Sequence, residues 1–94
     1  MDKLVVLYTM NGCPFCEMMK EQLKESNIEF YERDIDEHKD EYDMFVEITE
    51  NEYVPAFMIV ESPGESPKSL LFAPERDFNE ISEGIDIIKK HLLV

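Results

Sequence analysis

The run Leu4-Val5-Val6-Leu7-Tyr8 is apolar at every position and rich in β-branched residues, which predicts a strand covered on both faces and central in its sheet. Behind it, Pro14 suits a first helical turn, where its missing N–H costs nothing, and Phe15, Met18, Met19 and Leu23 recur at helical spacing toward Ser26-Asn27. Ile28-Glu29-Phe30-Tyr31-Glu32 alternates with period two and predicts a second strand with one wetter face. Asp34 and Asp36 offer caps for a helix running from about Glu37 to Glu50, with Tyr42, Phe45 and Ile48 as its buried stripe and Met44 as a further candidate. Ala56 to Val60 and Ser69 to Phe72 read as a hairpin around the turn formers Ser62-Pro63-Gly64-Glu65-Ser66-Pro67. From Asp77 the pattern is helical again: Asp77 and Glu80 resemble a capping box, and Phe78, Ile81, Ile85, Ile88 and Leu92 repeat at three and four. Gly84 interrupts that helix at a cost of about 1 kcal/mol relative to Ala, which points to a neighbouring backbone approaching closely. The order is β-α-β-α-β-β-α, an α/β domain.

Composition bounds this reading. The 94 residues are expected to form one domain over 1–94 and a monomer, with no signal peptide and no membrane span, since the longest apolar run, Val54 to Val60, is interrupted by Pro55. A formal charge of −13, from 22 acidic against nine basic residues, argues against nucleic acid and anionic membranes as partners, because phosphate surfaces would be repelled. Solubility is the ordinary meaning of such acidity; steering of a basic partner is the specific one. Two cysteines are too few for a secreted disulfide scaffold, and their tight spacing favours a redox pair in the reducing cytoplasm.

Those two cysteines lie in Cys13-Pro14-Phe15-Cys16, where a strand gives way to a helix. Thiol-disulfide exchange needs one exposed thiolate and a second sulfur close enough to resolve the mixed disulfide. The free N–H groups and positive end of the first helix favour the thiolate of Cys13, so Cys13 is expected to attack with a depressed pKa and Cys16, one turn in, to resolve. Glu17 and the acidic domain oppose this, but distant charges are screened over about 8 Å at physiological salt and the adjacent helix terminus prevails. A structural zinc site would have to recruit His38 and His91, which lack ligand-like spacing. Two inert buried thiols are the remaining alternative. His91, with Lys89 and Lys90, suits the C-terminal end of the last helix, and His38 an exposed first turn of the second.

Tyr8 to Cys16 resembles the dithiol active-site segment of the glutaredoxin family, and Val54-Pro55 matches that family's Val-Pro loop. The resemblance spans essentially the whole chain. It implies a thioredoxin-like fold with a four-stranded mixed sheet flanked by three helices, a cis bond before Pro55, and a Val54 backbone that pairs with bound substrate as a short added strand. It also implies thiol-disulfide oxidoreductase activity on protein disulfides or glutathione mixed disulfides, with no bound cofactor or metal and with glutathione as reducing cosubstrate. Phe15 is then a partly exposed ring beside the substrate, and Tyr8 and Tyr53 are rim or packing residues.

The departures from the family pattern bear on the electron donor. Met10 stands where many glutathione-using relatives have lysine, and Glu52-Tyr53 where many have a basic residue and threonine. Ala73-Pro74-Glu75-Arg76-Asp77 replaces the Gly-Gly and acidic segment that receives the γ-glutamyl end, leaving Asp77 and Arg76 as the only substitutes. Losing cationic subsites on an acidic domain weakens binding of a dicarboxylate. The competing readings are an electron donor, as to ribonucleotide reductase, regenerated by a flavoprotein reductase, and a noncatalytic or iron–sulfur module. Pro14 and Cys16 argue against the last.

Overall fold

The computed structural model describes residues 3–61 and 67–92. It runs β1 (Lys3–Thr9), α1 (Pro14–Glu25), β2 (Tyr31–Asp34), α2 (Lys39–Thr49), β3 (Ala56–Glu61), β4 (Lys68–Phe72) and α3 (Ile81–Leu92), the expected order. The sheet order is β2-β1-β3-β4, with β1 parallel to β2 and antiparallel to β3, and β3 antiparallel to β4. The continuously apolar β1 is therefore interior to the sheet, as its pattern predicts. The turn expected at 62–66 lies outside the described residues. Among the described residues no helix is long and apolar enough to cross a membrane.

Side chains alternate across the sheet and sort into two cores. On one face Val5 and Leu7 of β1 and Phe57 and Ile59 of β3 meet Met19 and Leu23 of α1 and Ile81, Ile85 and Ile88 of α3. On the other, Val6, Tyr8 and Ala56 meet Tyr42 and Phe45 of α2.

Several elements depart from their sequence patterns. Pairing of β2 begins only at Tyr31, opposite Val6, so Ile28, Glu29 and Phe30 precede the strand; Ile28 and Phe30 still pack against the two-helix core. They follow an α1 terminus closed by a bond from the Ile28 N–H to the Leu23 carbonyl, with Asn27 left-handed at φ 57°. In α2 the buried stripe is Tyr42, Phe45 and Thr49, while Met44 and Ile48 are 64 % and 66 % exposed. Ile48 lies about 120° round the helix from Tyr42, whereas Thr49 returns close to the same face and ties its hydroxyl to the Phe45 carbonyl at 2.9 Å. The expected caps of α2 are displaced too: His38 occupies the N-cap without a side-chain bond, and the Asp34 carboxylate instead accepts from the Asp36 N–H at 2.8 Å.

At α3 the cap sits three residues later than Asp77 and Glu80, at Glu80 and Glu83. The Glu83 carboxylate accepts from the N–H groups of Asn79 and Glu80, at 2.9 and 2.8 Å, and the helix starts at Ile81. Gly84 is needed for close approach, but to side chains rather than backbone: a Cβ there would stand 2.7 Å from Met19 Cε and 3.3 Å from the Phe78 ring. That contact locks α3 onto α1. His91 is half-buried, its ring edge-on to Phe72 and its Nδ1 3.0 Å from the Ile87 carbonyl, while Lys3 Nζ donates to the His91 carbonyl at the helix end.

Candidate active site

β1 ends at Thr9, and the loop that follows turns through Gly12 in the left-handed region, φ 76°, which admits glycine without strain. The turn delivers Cys13 to the N-cap of α1 and Pro14 to its first turn. Cys13 and Cys16 are joined as a disulfide, with Cα atoms 5.2 Å apart. Cys13 Sγ accepts the Cys16 N–H at 3.1 Å, so the helix terminus is aimed at the first sulfur, as the sequence argument requires. In this oxidised state Cys13 keeps only 8 % exposure and Cys16 none, against the expectation of a freely exposed attacking sulfur. Both sulfurs are thus buried, with Cys13 the less covered of the two, which is the expected ranking.

Antiparallel pairing of Tyr8 with Ala56 brings the start of β3 to the same end of the sheet as the disulfide. The Val54-Pro55 bond just before β3 is cis. Asn51 ties this loop to the segment after β4: its Nδ2 donates to the Pro74 carbonyl at 2.7 Å, and its Oδ1 accepts the Tyr53 N–H at 2.9 Å. The result is a groove of about 730 Å³ that reaches the dithiol turn at Phe15, between the two cysteines, neither of which lines it. Phe15, Met18 and Gln22 of α1 form one wall, Tyr53-Val54-Pro55 a second, and Glu75, Phe78 and the start of α3 from Asn79 to Ser82 the third.

The expected site residues divide cleanly. Phe15 and Tyr53 are each 59 % exposed on the groove, and Val54 and Pro55 line it. Tyr8 is not at the rim. It is 1 % exposed, packed against Tyr42 and Phe45, and its hydroxyl donates to Glu41 Oε2 at 2.6 Å. Burial first, and then that carboxylate, raise its pKa far above the ordinary phenol value. Arg76 and Asp77 do not line the groove either. The Asp77 carboxylate closes its own turn, accepting the Ala73 N–H at 2.9 Å and Arg76 Nη1 at 3.0 Å, while Arg76 also donates to the Leu71 carbonyl at 3.3 Å. Glu75, left-handed at φ 68°, projects there instead.

Met18, Gln22, Asn51, Glu80 and Ser82 were not among the expected site residues. For two of them a signal existed: Met18 and Gln22 follow Phe15, itself an expected site residue, at three and seven positions on the same helix face. Asn51 and the α3 start carry no pattern that separates them from ordinary loop and cap residues. Among the described residues no group of three or more His, Cys, Asp or Glu is placed to hold a metal ion.

A family model described as Glutaredoxin matches residues 5–61. No curated protein matches the chain. Among solved structures the chain is similar to a malarial protein, at 16 % identity over 98 % of this chain and 99 % of that one, with a TM-score of 0.54. It is also similar to a mutant of a thioredoxin-like protein, at 23 % identity over 56 % of this chain and 72 % of that one, with a TM-score of 0.51. Glutaredoxin 1 from Francisella tularensis, solved with cacodylate, is 23 % identical over 99 % of this chain and 100 % of that one, with a TM-score of 0.49. At such identities the first two likenesses speak to the fold, three helices on a four-stranded mixed sheet of thioredoxin-like type.

Proposed function

The chain belongs to the glutaredoxin family, and from that premise we propose that it reduces protein disulfides and glutathione mixed disulfides by dithiol exchange, with Cys13 attacking and Cys16 resolving. The observation that carries this reading is the Cys13–Cys16 disulfide at a helix N-terminus that opens beside a groove. In the reduced protein the Cys13 thiolate attacks one sulfur of the substrate disulfide. The substrate S–S bond breaks, its departing sulfur takes a proton, and a Cys13–substrate mixed disulfide remains. Cys16 then attacks Cys13 Sγ and expels the second substrate thiol. Two electrons have passed to the substrate, and the protein is left in the oxidised state described above.

The groove walls have separate roles in this scheme. The exposed edges of Phe15 and Tyr53 pack against substrate on either side of its reactive sulfur, and the Val54 backbone pairs with the substrate chain. We propose the cytoplasm as the compartment, since a reducing environment returns the pair to the dithiol state. Glutathione is the proposed donor: two glutathione thiols regenerate the pair and leave as their own disulfide.

One observation favours a second donor. Arg76 and Asp77 face each other rather than the groove, and Glu83 occupies the N–H groups at the start of α3, so no described residue offers glutathione a cationic subsite there. A flavoprotein reductase that docks on the dithiol needs no such subsite. The deciding experiment measures NADPH consumption with a small mixed disulfide, comparing glutathione plus glutathione reductase with thioredoxin reductase. Turnover with the first pair alone supports glutathione, and turnover with the second alone replaces it. Cys13→Ser should abolish turnover with either, and Cys16→Ser should keep only the removal of glutathione; a Cys13→Ser protein that still turns over would overthrow the roles.

A further inference from the structure

Beside the groove lies a second hollow of about 620 Å³, lined by Val46, Glu50, Asn51, Glu52 and Tyr53. The two share the exposed Tyr53 ring. Their charged lining is carboxylate alone: Glu75 and Glu80 in the groove, Glu50 and Glu52 in the hollow. None of the nine lysines and arginines lines either one. Their ion pairs lie elsewhere, as in Lys20 with Glu17 and Glu32, Lys39 with Asp43, and Arg76 with Asp77.

The helix start in the third wall of the groove, which would welcome an anion, is already filled. The backbone donors of Asn79 and Glu80 at the start of α3 are taken by Glu83 Oε1, so an incoming carboxylate would have to displace a tethered one. An anionic ligand would also lose solvent between like charges, with no cation to offset the loss. A cationic ligand meets complementary charge in both hollows. Two hollows that share an aromatic ring, with Phe15, Met18 and Val54 as an apolar ledge in the groove, match an extended chain better than a small thiol.

Resting on the exchange chemistry proposed above, we infer that the preferred substrate is a cationic polypeptide, with Lys or Arg on both sides of its disulfide-bonded cysteine. Its basic side chains sit against Glu75 and Glu80 in the groove and Glu50 and Glu52 in the second hollow. The excess of acid in the chain thus has a local use at the site, beyond solubility.

The test uses the full-length reduced protein and three peptides that differ only in their flanks, Lys, Gln or Glu, each carrying its cysteine as a mixed disulfide with thiopyridine. Cys13 Sγ forms the new S–S bond to the peptide sulfur, the peptide–thiopyridyl bond breaks, and the departing thiopyridone takes the proton and is read by absorbance. Each rate is divided by that of the same peptide with dithiothreitol, which removes intrinsic differences in reactivity. The Lys-flanked peptide should exceed the Glu-flanked one by about tenfold at low ionic strength, and added salt should close the gap. Combined Glu50→Gln, Glu52→Gln, Glu75→Gln and Glu80→Gln should bring that ratio toward one. Combined Glu21→Gln, Glu25→Gln, Glu29→Gln and Asp86→Asn, exposed carboxylates outside both hollows, should retain it. Equal rates for the Lys and Glu peptides, or an equal fall in ratio for both variants, overturns the inference. Failure of the exchange reading looks different: the Gln-flanked peptide would then react no faster with the wild type than with Cys13→Ser.

Discussion

The two faces of the sheet draw on alternate residues of the same strands, yet they are different kinds of core. Val5, Leu7, Phe57 and Ile59 face two helices and a wholly apolar interior, whereas Val6, Tyr8 and Ala56 face one helix and an interior with polar edges. On the second face the Tyr8 hydroxyl is held by Glu41, while the Tyr42 hydroxyl is buried with no protein partner among the described residues. The active site is assembled from both. α1 and α3, which carry the disulfide and the third groove wall, rest on the two-helix core; Val54 packs against the one-helix core. Stability is therefore expected to reside mainly on the face that positions the sulfurs, and the other face to tolerate change.

The largest effect should come from Leu23→Ala, which empties a fully buried position between α1 and the sheet. A loss of about 2–5 kcal/mol is expected from urea unfolding. A loss per carbon atom removed no greater than that of Phe45→Ala would break the asymmetry. Gly84→Ala should come next. Its Cβ must push Met19 Cε and the Phe78 ring apart, which outweighs the gain in helix propensity and leaves a net loss of about 1 kcal/mol. A stabilised Gly84→Ala would show that α1 and α3 yield easily, contrary to a rigid platform for the disulfide.

On the other face the two tyrosines should part company. Tyr8→Phe removes the donor to Glu41 and should cost about 1 kcal/mol. Tyr42→Phe removes a buried hydroxyl that has no protein partner and should be neutral or stabilising by up to about 1 kcal/mol. If both substitutions destabilise equally, the polar edge of this core is uniformly satisfied and the contrast within it disappears.

The smallest effect concerns the start of α3. The backbone N–H groups of Glu80 and Asn79 hold the Glu83 carboxyl below its ordinary range. A carboxyl depressed in the folded state contributes stability above its unfolded pKa of about 4.3, and the contribution is lost as pH falls through the lower folded value. Glu83→Ala should therefore be less stable than the wild type at neutral pH, with the difference fading in acid. Unfolding midpoints measured across that interval check the sign; a deficit that persists in strong acid would assign it to helix propensity instead.

Much of this was legible in the chain. Apolar continuity placed β1 inside the sheet, and Pro14 together with the cysteine spacing placed the dithiol at a helix start, because both signals are local and covalently tied to the positions they describe. Errors arose where periodicity names a face without naming its neighbour. Met18 shares the apolar pattern of α1 but lines the groove, and Ile48 looks as buried as Thr49 until the phase of α2 against the sheet is known. Asp77 and Glu80 carry the letters of a capping box, yet the carboxylate that caps α3 is Glu83, since the chain turns once more before the helix begins.

Residue order alone established the succession of elements, the mixed α/β class and the pairing of two sulfurs within one helical turn, because each depends on neighbours along the backbone. Tertiary contact alone decided which side chains meet across the groove. Pairing of Tyr8 with Ala56 brought the Val54-Pro55 loop to the disulfide, Asn51 fastened that loop to Pro74, and the Met19, Phe78 and Gly84 contact set the third wall. Those residues lie far apart in the chain, and their proximity arises from burying two apolar faces at once, a constraint that no local pattern contains.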